Sequence, residues 1–328
     1  MFRGLIVSAL ACVAALAASS VDSTLLALLP PDSTVVSSVS VAQAKNSTFG
    51  QYMLSQMQIN DPGYQQFVND TGFDARHDLT LVMSATTATA ADAVATTHKA
   101  LILGRGNFNI AKITSAAKAQ GATIQNYKGV DLIVHAGTDL TGAIAFLDPT
   151  TAVMGDVASV QGVVDRRGRS SSTLPANFLA QVSALAAAND AWFVSTVSPT
   201  VFFNGKISNP TVGTTLDAGL AQSVLAGSGG LKFTATGAMI TGQAVARSPQ
   251  DASALSDVFK FLVNIAQANR GTSNQAGSFA SMLDTLRISS QGSNMNLDLQ
   301  IPESTLEQLF MGGSSSHRSV ASSQPASH

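Results

Sequence analysis

The chain has little charge and almost no cysteine. Only 12% of its 328 residues are charged, about half of the fraction in an average soluble protein. The 20 acidic residues nearly cancel the 18 basic ones, and only two of the acids are glutamate. A nucleic-acid binder concentrates basic charge on one surface, and charge-driven disorder requires a high net charge. The composition excludes both classes, while a hydrophobic content of 45% is sufficient for a large core.

The single cysteine, Cys12, lies inside a predicted leader. One cation, Arg3, precedes an apolar run that ends in small residues at both positions that a signal peptidase reads. We expect a signal peptide over residues 1–17, cleaved between Ala17 and Ala18, and a mature chain without disulfides. The apolar run is about 13 residues, shorter than the roughly 20 of a membrane-spanning helix. No stable membrane insertion is therefore expected after cleavage.

Two alternatives would keep the protein at a membrane: a leader retained as an anchor, or a lipid attached to Cys12. The apolar run ahead of Cys12 is only about seven residues, and Ala9 stands where a branched apolar residue usually precedes a lipidated cysteine. We favour a soluble protein that is periplasmic or extracellular.

Strand patterns, turns and amphipathic helices alternate along the chain. Strands separated by turns rather than helices indicate antiparallel pairing, so the predicted fold class is α+β, with two related halves that each contain a mainly antiparallel sheet and packed helices. The best-specified helices are predicted at 61–72, 109–121 and 249–269, where capping residues bracket apolar positions at helical spacing. Further helices are predicted at residues 49–57, 157–164, 176–188, 216–225 and 303–310.

Three short segments occur twice in the same order, which is typical of an internal repeat. The stretch that begins at Asp32 resembles the one that begins at Asp190, and this alignment places Val36 on Val194. The other two matches each join a strand end to the helix that follows it. They align residues 100–106 with 243–248 and residues 154–160 with 300–306.

The duplication hypothesis divides the mature chain into two units. We predict a first repeat over 18–165, a linker over 166–174 and a second repeat over 175–310. The linker contains three of the ten arginines but too few charges to bind a polyanion. Residues 311–328 contain too few apolar residues to form a core and are predicted to be a disordered tail.

The sequence contains no strong catalytic motif. It has no phosphate-binding loop and no GxSxG elbow, and Gly104-Arg105-Gly106 lacks the third glycine of a dinucleotide fingerprint because Asn109 takes that position. Gly227-Ser228-Gly229-Gly230 is interpreted as a turn. We therefore predict no catalytic residue, no cofactor and no metal site.

The densest polar cluster is Asp74, His77 and Asp78, which could hold a metal ion or carry out acid/base chemistry. The preferred interpretation is a connecting loop in which Asp74 caps a turn and His77 faces water. His135 is expected to be on the exposed face of a half-exposed strand. The sole tryptophan, Trp192, is expected to be a core or interface anchor rather than a ligand platform.

Several segments together resemble a family of uncharacterised exported bacterial proteins. They are LLALLPPDSTVV, AKNSTFGQYML, DPGYQQFVNDTGFDARHDL, YKGVDLIV, DAWFV, RSPQDASALSDV and IPESTLEQLF. The resemblance covers nearly all of the mature chain. It implies export from a bacterium and brings no activity, cofactor or catalytic residue.

Three functions remain open at this point. The favoured one is an exported, non-enzymatic binding or scaffold protein of the bacterial cell envelope. The alternatives are a carrier of an apolar ligand and an extracytoplasmic hydrolase without a recognisable motif. The expected partner is an unknown protein or a small apolar ligand, and no nucleic acid. A carrier needs a large apolar cavity, whereas a hydrolase needs convergent polar groups in a pocket.

Overall fold

The computed structural model describes residues 21–55, 62–87, 100–136, 141–198, 220, 222–268, 281–303 and 305. The predicted leader and tail, most of the predicted helix at 303–310 and the start of the helix at 216–225 lie outside the described residues. No helix among the described residues is long and apolar enough to span a membrane.

The first half contains helices and strands in mixed order. They are α1 (Ser23–Leu28), β1 (Val35–Ser40), α2 (Val41–Lys45), α3 (Thr48–Ser55), α4 (Pro62–Thr71), α5 (Ala75–Asp78), β2 (Leu79–Thr86), β3 (Ala100–Gly106), α6 (Ile110–Ala119), β4 (Thr123–Tyr127), β5 (Val130–Ala136), β6 (Thr141–Asp148), β7 (Thr151–Asp156) and α7 (Val157–Arg166).

The second half has fewer described elements. They are α8 (Ala176–Ala188), β8 (Ala191–Ser195), β9 (Val224–Thr234), β10 (Gly237–Ala246), α9 (Pro249–Ala268), a 3-10 turn (Leu283–Thr285), β11 (Arg287–Gln291) and β12 (Asn294–Pro302).

The strands form one sheet in the order β11-β12-β10-β9-β8-β1-β2-β3-β7-β6-β5-β4, and the neighbours are antiparallel. The α+β class and the antiparallel pairing are confirmed. The two halves do not have separate sheets, because β1 pairs directly with β8. Val36 lies opposite Val194 in that pair.

Capping residues determine where several helices begin, as the sequence indicates. The Asn109 side chain accepts a hydrogen bond from the backbone N–H of Lys112 at the start of α6, and Ser248 does the same for Asp251 at the start of α9. Gly72 and Gly121 follow α4 and α6 with φ of 70° and 88°. This left-handed conformation is the reason for glycine after each helix.

One local prediction is wrong, and one predicted helix extends too far. The predicted turn at residues 227–230 lies within β9, where the glycines allow close approach of side chains from β8 and the α8–β8 connection. The predicted helix at 216–225 gives way to strand at Val224. Local preference favours a turn for a glycine-rich segment, whereas pairing with β8 and β10 holds this one extended.

Helices cover the two faces of the sheet unequally. The α8 face carries Val36 and Trp192; α1 and α7 cover it over the first half, and α8 covers it at β8 and β9. The α6 face carries Ser37 and Phe193, with α6 packed near one end of the sheet and α9 near the other. On the predicted exposed face of β5, Asp131 and His135 are exposed, whereas Ile133 packs beneath α6.

Candidate functional site

The Asp74 cluster has the structure of a capped turn. The Asp74 carboxylate accepts hydrogen bonds from the Arg76 backbone N–H and guanidinium and from the Tyr64 hydroxyl. The Arg76 side-chain hydrogen bond is the main reason that the pKa of Asp74 lies far below its usual range, although partial burial opposes this. The His77 side chain is 76% exposed. These positions confirm the interpretation as a connecting loop.

The part of the chain that the structure describes contains no group of three or more His, Cys, Asp or Glu side chains placed to hold a metal ion. Asp78 lines an open cavity of about 470 Å³ between the end of α4 and the start of α6, together with Phe73 and Asn109. The buried Thr71 hydroxyl beside this cavity donates to the carbonyl of Phe67, within its own helix.

The structure also places the other residues that the sequence analysis considered as functional candidates. Trp192 is 6% exposed and belongs to the core on the α8 face, so its predicted role as an anchor is confirmed. Arg105 donates to the carboxylate of Asp22 and to the hydroxyl of Thr151, which connects β3 to the start of α1 and to β7. His135 is exposed, as expected.

The middle of the α6 face has exposed apolar side chains. We define the central trough as the α6-face side chains of β8, β1, β2, β3 and β7. Val39, Met154 and Phe193 are 43%, 44% and 45% exposed there. Monomeric proteins seldom leave large apolar side chains grouped on one surface unless that surface binds something.

The strand register determines the shape of the trough. One row across the strands runs Phe193, Ser37, Ser84, Ile102, Met154. The two hydroxyls in the middle of this row hydrogen-bond to each other at 2.7 Å. Small residues above β1 and β2 therefore lie between larger ones on either side. The Phe193 ring leans away from β1 over β9, where a Cβ on Gly229 would lie only 2.7 Å from the ring.

The trough is almost uncharged. Among its described side chains, Asp156 carries the single charge, and that carboxylate caps α7 by accepting hydrogen bonds from the backbone and hydroxyl of Ser159. The available interactions are therefore contact with apolar groups and hydrogen bonds to the serine hydroxyls.

The opposite face of the sheet carries a second opening, which we call the polar cleft. It is about 390 Å³ and is formed between α8 and strands β9, β10 and β12. Side chains of Ser228, Thr241, Gln243, Asn296 and Asp298 cover its floor.

Sequence reasoning missed both surfaces. Strand alternation in VVSSVS indicates two faces, but it does not show which face helices cover. The segment NMNLDLQI carries a stronger signal for such a surface. Its polar residues alternate strictly with apolar ones, which predicts that one face of the strand is exposed to solvent.

No protein-family model matches the chain, and no curated protein matches it. Among solved structures, the chain is similar to crystal form IV of TP0453, with 11% identity and a TM-score of 0.48 over 88% of this chain and 95% of that chain. It is also similar to crystal form III, with 12% identity and a TM-score of 0.47 over 89% and 99%. Similarity at this level carries no functional inference. The resemblance to exported bacterial proteins stays a prediction.

Proposed function

We propose that the protein is an exported, non-enzymatic binding or scaffold protein of the bacterial cell envelope, and that the central trough binds an apolar surface of a protein partner. The observation that carries this proposal is the exposure of Val39, Met154 and Phe193 on one nearly uncharged sheet face. Burying such side chains against a partner contributes roughly 25 cal/mol per Å² of apolar area.

The openness of the trough favours a protein partner over the alternative of an apolar ligand carrier. A small ligand in a typical pocket loses most of its surface to enclosing walls. The exposed trough side chains lie on the strand surface between α6 and α9, and on the same face Phe49 of α3 packs against Ile240 and Leu299. A broad partner surface can contact all of them at once, and aromatic and methionine side chains are enriched where proteins meet.

Site-specific photocross-linking in the producing cells tests the proposal. A photoreactive residue at position 193 is expected to give a discrete protein adduct, and one at Phe261 is expected to give none. Phe261 is the matched control because it is also an exposed phenylalanine, at 54%, but lies on α9.

A second substitution connects the adduct to the trough. Val39→Asp places a charge beside position 193 and is expected to abolish the adduct, while Lys260→Asp on α9 leaves it unchanged. Equal cross-linking from 193 and 261, or an adduct that survives Val39→Asp, would contradict the proposal. A co-purifying lipid that Val39→Asp releases would favour the carrier instead.

Export has its own test. The intact mass of the exported protein is expected to correspond to a chain that begins at Ala18. A mass that includes Met1, or a diacylglycerol on Cys12, would show that the leader is an anchor or that the protein is lipidated.

A further inference from the structure

The polar cleft has an apolar wall and a polar floor. Ala184 and Leu185 of α8 form an apolar wall, and Gln181 lies on the same helix. The floor is formed by side chains from three adjacent strands, β9, β10 and β12. Its volume of about 390 Å³ is within the range that small-molecule sites occupy.

Two amide side chains lie at the centre of the floor. Gln243 and Asn296 are directly opposite each other in the β10–β12 register, and the Gln243 Nε2 donates to the Asn296 Oδ1 at 3.0 Å. This bond leaves the Gln243 Oε1 as an acceptor and the Asn296 Nδ2 as a donor. Neither atom has another side-chain partner among the described residues. A ligand that carries its own amide could form a hydrogen bond with each of these two atoms.

The hydroxyl and carboxylate groups of the floor surround this amide pair. Ser228 lies opposite Gln243 on β9, and Thr241 lies opposite Asp298 on the β12 side. Carboxylate, amide and hydroxyl oxygens accept hydrogen bonds from ligand hydroxyls. Asp298 is paired in register with Arg287 on β11, so the local charge is balanced and favours an uncharged ligand.

We propose that the polar cleft binds an N-acetylated sugar. The acetamido group would donate to the Gln243 Oε1 and accept from the Asn296 Nδ2, its methyl group would contact Ala184 and Leu185, and the sugar hydroxyls would bind Ser228, Thr241 and Asp298. The cleft and the central trough are on opposite faces of the sheet. The two proposals can therefore fail independently.

The test compares two β-1,4-linked disaccharides that differ at the acetamido group. Di-N-acetylchitobiose and cellobiose are titrated into the ¹⁵N-labelled mature protein while the side-chain amide signals of Gln243 and Asn296 are followed by NMR. Chitobiose is expected to shift both signals and to bind at least about tenfold more tightly than cellobiose, since cellobiose lacks the amide and the methyl group.

Variants on the same sheet face localise the binding. Asn296→Ala is expected to weaken chitobiose binding about three- to tenfold, the effect of one lost hydrogen bond. Ser289→Ala is the control, because Ser289 is opposite Asn296 but on β11, beyond the cleft. Unchanged thermal midpoints would show that both variants are folded. Equal binding of the two sugars, no binding, or shifts outside the cleft would overturn the proposal.

Discussion

The two halves of the sheet differ most clearly along one row of the α8 face. On the first-half side of the β1–β8 pair this row is apolar, and on the second-half side it is polar beyond Val194. From Val36 it continues through Ala85 in the first half, and through Val194, Ser228, Gln243, Asn296 and Ser289 in the second. The hydrogen-bonding pattern is the same on both sides, so the backbone does not determine this difference.

The two halves differ in the helices that cover this face of the sheet. In the first half α1 and α7 bury their apolar side chains against the row, and Leu25, Leu132 and Val163 are fully buried. In the second half α8 reaches only the first strands, and beyond it the floor of the polar cleft faces solvent. The comparison shows that sheet pairing and helix coverage vary independently, so one face can form a core in one half and an open polar cleft in the other.

Truncation of core leucines should have the largest effect on stability, and the effect should differ between the two halves. Leu103→Ala, in the core on the α8 face, is expected to lower the free energy of unfolding by about 3–5 kcal/mol, and Leu255→Ala in α9 by about 2–3 kcal/mol. Leu103 is 0% exposed within a large cluster, while half-exposed neighbours such as Phe259 can relax around a cavity at Leu255. Urea denaturation measures both. An equal or larger loss for Leu255→Ala would show that the second-half core is as closely packed.

Two glycines in β9 test how closely the α8–β8 connection packs against the sheet. A Cβ on Gly230 would lie 2.1–2.4 Å from the Asn189 side chain, whose Nδ2 donates to the Leu185 carbonyl. Gly230→Ala is therefore expected to cost about 1–3 kcal/mol in the free energy of unfolding. The control is Gly227→Ala in the same strand, where the nearest atom is 3.5 Å away and the expected change is within about 0.5 kcal/mol. Similar thermal midpoints for the two variants would contradict the inferred contact.

The first half has an ion pair that should respond to pH. Partial burial raises the pKa of Asp22, but hydrogen bonds from Arg105 and from the Leu25 backbone outweigh this, so the pKa is lowered. A carboxyl whose pKa is lowered on folding stabilises the protein above its unfolded pKa of about 4, and this stabilisation is lost as pH falls through the lower folded pKa. Asp22→Asn is expected to cost about 1 kcal/mol at pH 7 and almost nothing at pH 2.

The second half supplies the control for this pH series. Asp257 lies 3.9 Å from Lys260 on the surface of α9 and is 74% exposed. Asp257→Asn should leave the free energy of unfolding almost unchanged at both pH values, because solvent screens such a pair. A constant difference between Asp22→Asn and the wild type across the pH range would mean that the ion pair does not stabilise α1.

The smallest expected effect is a gain in stability. Ser256 in α9 is 1% exposed, and its hydroxyl has no hydrogen-bond partner within the described part of the chain. Ser256→Ala removes a buried polar group and is expected to stabilise the protein by about 1 kcal/mol. The exposed Ser253 provides the control, since Ser253→Ala gains only helix propensity, about 0.5 kcal/mol. A loss of stability at Ser256 alone would reveal a hydrogen bond to its hydroxyl.

The sequence predicted local elements better than it predicted surfaces. Helix limits such as 109–121 follow from capping and periodicity, and they agree with α6, where Asn109 caps the start and Gly121 follows the end. The shared sheet and the central trough depend on which strands meet across long sequence separations, as Val36 and Val194 do. No local preference encodes such a meeting. The tandem duplication stays a prediction, although α6 and α9 lie on the same face, as the duplication requires.

The pairing of Val36 with Val194 has a consequence for how the chain assembles. In the predicted alignment these residues are equivalents, so β1 and β8 meet as two copies of one strand would meet across a two-fold axis. A fragment that stops at residue 170 would present β1 as an unprotected edge, able to recruit another copy of itself. During synthesis the β1 edge of the first half stays unpaired until β8 emerges, so that interval is when intermolecular strand pairing can compete with folding.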